Sequence, residues 1–148
     1  MNALFINGSP NKSGNTAALA AAVLKGYAYQ TLNLTDYTIG CYGQQLPGDG
    51  FDKVIAQIQK ADLLVIGSPL YWHNICGSVR NMLDRFYGAV AQGSLHGRLC
   101  FVFQGAAPET WMLEAGEYTM KRFAKLYGLT YLGMVTNWSE AERMAQTL

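Results

Sequence analysis

Five short apolar runs punctuate the chain, and the stretches between them repeat apolar residues every three or four positions. Ala3-Leu4-Phe5-Ile6-Asn7 is the first run. Its unbroken apolarity predicts a strand covered on both faces, ended by Gly8-Ser9-Pro10. A helical pattern follows from about Asn15 to Lys25, with Leu19, Val23 and Leu24 on or near one face. Tyr29 to Leu34 predicts strand 2. After a loop holding Gly40, Gly43, Pro47, Gly48 and Gly50, helix 2 spans Phe51 to Lys60 with Val54, Ile55 and Ile58 on one side. Asp62 to Gly67 is the clearest strand. Helix 3 covers Gly77 to Tyr87, strand 4 Leu99 to Phe103, helix 4 Glu109 to Tyr127 up to Gly128, and strand 5 Thr130 to Val135. A last helix starts at Ser139, where Ser139 and Glu142 have capping-box spacing.

Strands alternating with helices, with no hairpin signal between strands, predict an α/β fold: a five-stranded parallel sheet with helices on both faces. The strand order 2-1-3-4-5 suits five such units. It puts a topological switch between strands 1 and 3, where ligands bind at the carboxyl ends of the strands. One domain over residues 1–148 is expected, with enough chain for a substantial core.

Half of the residues are hydrophobic and 14% are charged, which excludes disorder. The net charge is +1 and the 11 basic residues are scattered, so no nucleic-acid surface is expected. No apolar run reaches a membrane span, and the N-terminus does not read as a signal peptide, so a cytoplasmic protein is expected. Cys41, Cys76 and Cys100 lie far apart and form no metal or cluster motif. Cys100, inside an apolar run, reads as a packed thiol. Arg80 follows Cys76 by four positions, too close for a phosphatase loop. His73 and His96 are too few and too separated for a metal site.

The chemistry concentrates in two loops. Gly8-Ser9-Pro10-Asn11-Lys12-Ser13-Gly14-Asn15-Thr16 joins strand 1 to a helix N-terminus, where unpaired N–H groups and the helix dipole favour an anion. Ser9, Ser13 and Thr16 add hydroxyl donors, and Asn11 and Asn15 add amide donors. A phosphate monoester held by neutral donors fits this pattern. An ordinary strand-to-helix turn capped by Asn15 fits it as well. No Gly-Lys-Ser/Thr ending and no Gly-x-Gly-x-x-Gly is present, which excludes the nucleotide-triphosphate loop and the dinucleotide fingerprint. The second loop, Ser68 to Ser78, carries Tyr71 and Trp72. Beside a phosphate loop, such a pair suits a flat conjugated ligand; core packing or an interface patch is the alternative.

Gly8-Ser9-Pro10 with Gly14-Asn15-Thr16, Gly67-Ser68-Pro69-Leu70-Tyr71-Trp72, and Leu83-Asp84-Arg85-Phe86 together resemble the flavodoxin-like NAD(P)H-dependent FMN reductases and quinone reductases, including the iron–sulfur flavoprotein relatives. The resemblance runs from strand 1 to strand 5. It implies a flavodoxin-like three-layer sandwich and FMN as cofactor. The FMN phosphate would lie on Ser9, Asn11, Ser13, Asn15 and Thr16, and the ring against Pro69, Leu70, Tyr71, Trp72 and Asn74. A third loop at Gln104, Gly105 and Ala106 would complete the site. NAD(P)H as co-substrate, a small acceptor such as a quinone or free flavin, and a homodimer with the flavin near its interface are also implied. The cluster cysteines of the iron–sulfur relatives are reduced here to Cys41, so no cluster is expected.

A flavin carries the hydride chemistry itself, so no acid–base pair is required and no catalytic residue is assigned. His73 reads as a partly exposed loop residue, with a proton-donor role as the sharper alternative. Arg80 and Asp84 have the i,i+4 spacing of a solvated ion pair. Arg85 is a candidate for an interface. Three function classes follow: an FMN-dependent oxidoreductase, a flavodoxin-type electron carrier, and a flavin-free domain that keeps the fold. The net charge of +1 argues against the carrier, a class that is usually strongly acidic.

Overall fold

The computed structural model describes residues 1–148. Along the chain it has β1 (Ala3–Asn7), α1 (Asn15–Val23), β2 (Tyr29–Asn33), a 3-10 turn (Leu34–Asp36), α2 (Phe51–Ile58), β3 (Leu63–Tyr71), β4 (Asn74–Ile75), α3 (Gly77–Asp84), β5 (Arg98–Gln104), α4 (Thr110–Tyr127), β6 (Thr130–Val135) and α5 (Trp138–Thr147). The parallel strands run in the order β2-β1-β3-β5-β6, the predicted order once the short β4 takes a number. β1 pairs with β2 on one side and β3 on the other, so Phe5 stands beside both Thr31 and Val65.

The period of two along each strand sorts its side chains between two apolar layers. Leu4, Ile6, Leu64, Ile66, Phe101 and Phe103 face the layer built with α2, α3 and α4. Ala3, Phe5, Val65, Cys100 and Val102 face the one built with α1 and α5. Both faces are covered, which is why these strands are apolar at every position. Burial pushes the Cys100 thiol up to about 12, in keeping with a packed core residue.

Four expectations need correction. First, a hairpin is present: β3 runs past Gly67 to Tyr71, and β4 folds back antiparallel on it, pairing Tyr71 with Asn74. Second, α1 is capped by Gly14 with no side-chain hydrogen bond; Asn15 is its first helical residue. Third, α5 starts at Trp138, one residue earlier than expected, and its cap is Asn137, two residues before Ser139. Asn137 Oδ1 accepts from the Glu140 N–H at 3.0 Å, and Glu140 Oε2 accepts from the Thr136 N–H at 2.7 Å.

Fourth, Arg85 faces inward. Its guanidinium grips Asp49 at 2.6 and 3.2 Å, donates to the Gly40 carbonyl at 3.0 Å, and lies 4.9 Å over the Phe51 ring. Asp49 also accepts from the N–H groups of Gly40 and Phe51. This cluster staples the glycine-rich loop to α2 and α3. Arg80 and Asp84, by contrast, form the expected i,i+4 pair at 3.5 Å.

The Arg85 hydrogen bond, followed by that of the Phe51 N–H, holds the Asp49 carboxyl well below the usual carboxylate range against the opposing effect of burial. A depressed pKa stabilises the fold at pH values above that of the unfolded carboxyl, about 4, and the contribution fades as the pH falls from there toward the folded value. The two side chains are only 18% and 20% exposed, so solvent screening is modest. Asp49→Asn should therefore cost about 1–3 kcal/mol at pH 7. The gap from the parent protein should close as urea unfolding is repeated at decreasing pH below about 4. A gap independent of pH would refute this account of the loop.

Candidate functional site

The first loop is built by side chains that cap its own backbone. Asn7, fully buried at the end of β1, accepts from the Ser9 N–H at 3.1 Å and donates to Asn33 Oδ1 at 3.1 Å. Ser9 Oγ accepts from the Asn11 N–H at 3.1 Å, and Asn11 Oδ1 accepts from the Ser13 N–H at 3.1 Å. Ser9 and Asn11 thus shape the loop through their oxygens. Ser9 is buried, whereas Asn11, Ser13 and Asn15 sit at the exposed rim. Lys12, the loop's cation, pairs with Asp36.

Gly8 locks this loop to its neighbours. Its N–H donates to the Gly67 carbonyl at 2.8 Å, and its carbonyl accepts from Ser78 Oγ at 2.7 Å. A Cβ here would stand 2.3 Å from Val79 Cγ2 and 2.9 Å from the Gly67 oxygen. The chain then turns into α1 at Gly14. With no capping side chain, the N–H groups of Asn15, Thr16 and Ala17 find no acceptor in the protein. Unpaired donors at a helix N-terminus bind anions, since both hydrogen bonding and the helix dipole favour negative charge there.

Thr16 is 1% exposed, and its Oγ1 accepts from Gln104 Nε2 at 3.1 Å. Gln104 ends β5, so this bond joins the first loop to the third. Gly105 lies against Leu70, since a Cβ on it would fall 3.0 Å from Leu70 Cβ. The N–H groups of Gly105 and Ala106 also lack a protein acceptor. The three loops that the sequence brings into question therefore meet at one edge of the sheet.

The second loop is the hairpin. Pro69 is buried and Leu70 partly so; Tyr71, Trp72, His73 and Asn74 are exposed. Ser68 Oγ donates to the Pro69 carbonyl and accepts from the Cys76 N–H, which fixes the hairpin base. At the tip, Trp72 and His73 have φ of 48° and 66°. Side chains in this left-handed region cost roughly 1–2 kcal/mol per residue. Trp72 is 94% exposed, so core packing is not its role.

Asn7, Gly8, Ser68, Ser78 and Gly67 hold the site together but were not among the expected ligands. Gly8, Gly67 and Ser68 stand in the motifs quoted above and Ser78 ends the second loop; for Asn7 the signal was a polar residue closing an apolar strand. Trp111 is a further addition: its ring centroid lies 5.7 Å from that of His73. A groove of about 330 Å³ lies away from this edge, between α3 and α4, and is lined by Tyr87, Tyr118, Arg122 and Leu126 among others.

An iron–sulfur flavoprotein of Archaeoglobus fulgidus is 38% identical over 98 residues, covering 57% of this chain and 48% of that relative. An NAD(P)H dehydrogenase (quinone) of Geobacter sulfurreducens is 29% identical over 80 residues, covering 54% of this chain and 39% of that relative. This chain thus spans half or less of the length of both. Among solved structures, the Trp repressor binding protein from Bacillus subtilis superposes with a TM-score of 0.78 at 16% identity, covering 97% of each chain. That likeness establishes the flavodoxin-like fold. The family model described as NADPH-dependent FMN reductase matches residues 1–141, and the chain belongs to that family.

Proposed function

We propose that the protein binds FMN at the junction of β1, β3 and β5 and acts as an NAD(P)H-dependent oxidoreductase on a small electron acceptor. The observation that carries this reading is the set of three unpaired N–H groups at Asn15, Thr16 and Ala17, opening at the switch between β1 and β3. The donor set fits a phosphate monoester: neutral hydrogen-bond donors, a helix N-terminus, and a loop cation already paired elsewhere. Ser9, Asn11, Ser13, Asn15 and Thr16 surround the phosphate. Pro69, Leu70, Tyr71, Trp72 and Asn74 flank the ring from the hairpin, with Gln104 and Gly105 on the third loop.

FMN held by these residues would supply the redox chemistry, accepting hydride from NAD(P)H and donating electrons to a small acceptor such as a quinone. The residues position and polarise. The N–H groups of Gly105 and Ala106, free of protein acceptors, would offer hydrogen bonds to a bound flavin ring, the kind of fixed dipole that stabilises negative charge. Gln104 ties that loop to Thr16, so phosphate and ring contacts share one scaffold.

We further propose a cytoplasmic homodimer of single-domain chains. Tyr87, just past α3, and Tyr118 and Leu126 on α4 form an exposed apolar face of the kind that pairs subunits. Purified protein should be yellow, with an FMN spectrum, and its flavin should bleach in anaerobic stopped flow with NADH or NADPH. It should elute as a dimer in light scattering. Absence of flavin binding at micromolar FMN would defeat the central reading. Flavin that neither nucleotide reduces would leave a carrier in its place.

A further inference from the structure

We infer that Trp111 and Glu109, at the start of α4, form the outer wall of the acceptor site and select neutral, planar aromatic acceptors; this deepens the oxidoreductase reading and rests on it. Trp111 is 53% exposed, yet it is held in place. Its indole N–H donates to Glu109 Oε2 at 2.7 Å, which sets the ring's rotation. The His73 imidazole lies with its centroid 5.7 Å from that of the indole, at an interplanar angle of 44°. His73 shares the hairpin tip with Trp72, so this contact ties the second loop to the segment just after the third.

The helix that carries Trp111 cannot drift. Met112, the next residue, is buried, and α4 packs against the hairpin strand β4. At Gly116 the helix backbone comes so close to β5 that a Cβ would stand 2.3 Å from the Phe103 ring. Trp111 is thus a fixed aromatic surface, open to solvent, beside loops whose backbone donors face the same edge. A large ring fixed and left exposed is suited to stacking on another ring, and stacked pairs prefer planar partners.

Charge narrows the choice further. Residues 68–78 and 104–113, which make the ring-side loops and the first turn of α4, contain Glu109 but no lysine or arginine; Glu114 and Glu117 follow further along α4. Glu117 is engaged by Lys121 and Tyr131. Glu109 and Glu114 have no basic partner. Glu109, held against the indole N–H and without a basic partner, sets one negative charge beside the ring, which disfavours an anionic acceptor there and leaves a neutral one unpenalised.

The test uses flavin-loaded protein at saturating NAD(P)H. Trp111→Ala should raise the KM for 2-methyl-1,4-naphthoquinone about tenfold while kcat moves less than about twofold, and Trp111→Phe should stay within about threefold of the parent KM. The parent should prefer this quinone over 1,2-naphthoquinone-4-sulfonate, and Glu109→Gln, which keeps an acceptor for the indole, should shrink that preference. An unchanged KM in Trp111→Ala, or a preference untouched by Glu109→Gln, overturns the inference while leaving the oxidoreductase reading intact. If neither nucleotide reduces the bound flavin, the oxidoreductase reading fails by itself. Equilibrium dialysis of the naphthoquinone against the oxidised protein then decides the inference: Trp111→Ala must lose about tenfold in affinity, and equal binding overturns it.

Discussion

Gly8→Ala should lower FMN affinity about a hundredfold, two tenfold steps of about 1.4 kcal/mol each, and destabilise the fold by about 1–3 kcal/mol. The new methyl has nowhere to go. It would meet Val79 Cγ2 at 2.3 Å and the Gly67 carbonyl oxygen at 2.9 Å. Val79 is a fully buried core residue, and the Gly67 oxygen belongs to the central strand, so neither yields without cost. The loop must swing away from β3. That breaks the bond from the Gly8 N–H to Gly67 and the one from Ser78 to the Gly8 carbonyl. Residues Ser9 to Thr16 then lose the anchor that places the α1 donors. Val79→Ala in the same chain removes the closer clash but not the backbone one, so the double variant should recover part of the affinity. Fluorescence titration of apoprotein with FMN measures both. A Gly8→Ala protein that binds FMN like its parent would show that this close approach does not position the phosphate loop.

The layout of the sheet was legible because its physics is local. A strand covered on both faces must be apolar at every position, and Ala3–Ile6, Leu63–Ile66 and Leu99–Phe103 are. The hairpin was not legible. Its two-residue turn is Trp72-His73, where left-handed backbone is ordinarily taken by Gly, Asn or Asp, so no turn signal marks it. The α5 cap was ambiguous on spacing alone: Ser139 to Glu142 and Asn137 to Glu140 share it, and only Asn137 makes the bond. Arg85 and Asp49 are 36 residues apart, and no periodicity links them. In the first loop the residue types advertised hydrogen-bond donors, but their division of labour was hidden. Ser9 and Asn11 turn side-chain oxygens onto the loop backbone, and the donors left free are main-chain N–H groups. Trp111 joins the site only through its spatial contact with His73.

Thr16→Val should separate the phosphate contact from the ring contacts. The substitution keeps the shape of a buried side chain and its methyl packing near Gly67, and removes one hydroxyl. That hydroxyl accepts from Gln104 Nε2 at 3.1 Å, which leaves its own proton available to an anion at the α1 N-terminus. Its loss should weaken FMN binding by about 1–3 kcal/mol, the range for a hydrogen bond to a charged group. Riboflavin, which has the ring but no phosphate, should bind parent and variant within about threefold of each other, a difference below 1.4 kcal/mol. Thr16→Ser, which keeps the hydroxyl, should retain most of the FMN affinity. Gln104→Ala tests the link to the third loop. If Gln104 is held through Thr16, its effect on FMN binding should largely vanish in a Thr16→Val background, a coupling that independent sites do not show. Calorimetric titration of the parent and its four variants with FMN and riboflavin completes the comparison. Equal losses for both flavins in Thr16→Val would place the phosphate away from Thr16, and with it the α1 N-terminus would lose its role as the anion site.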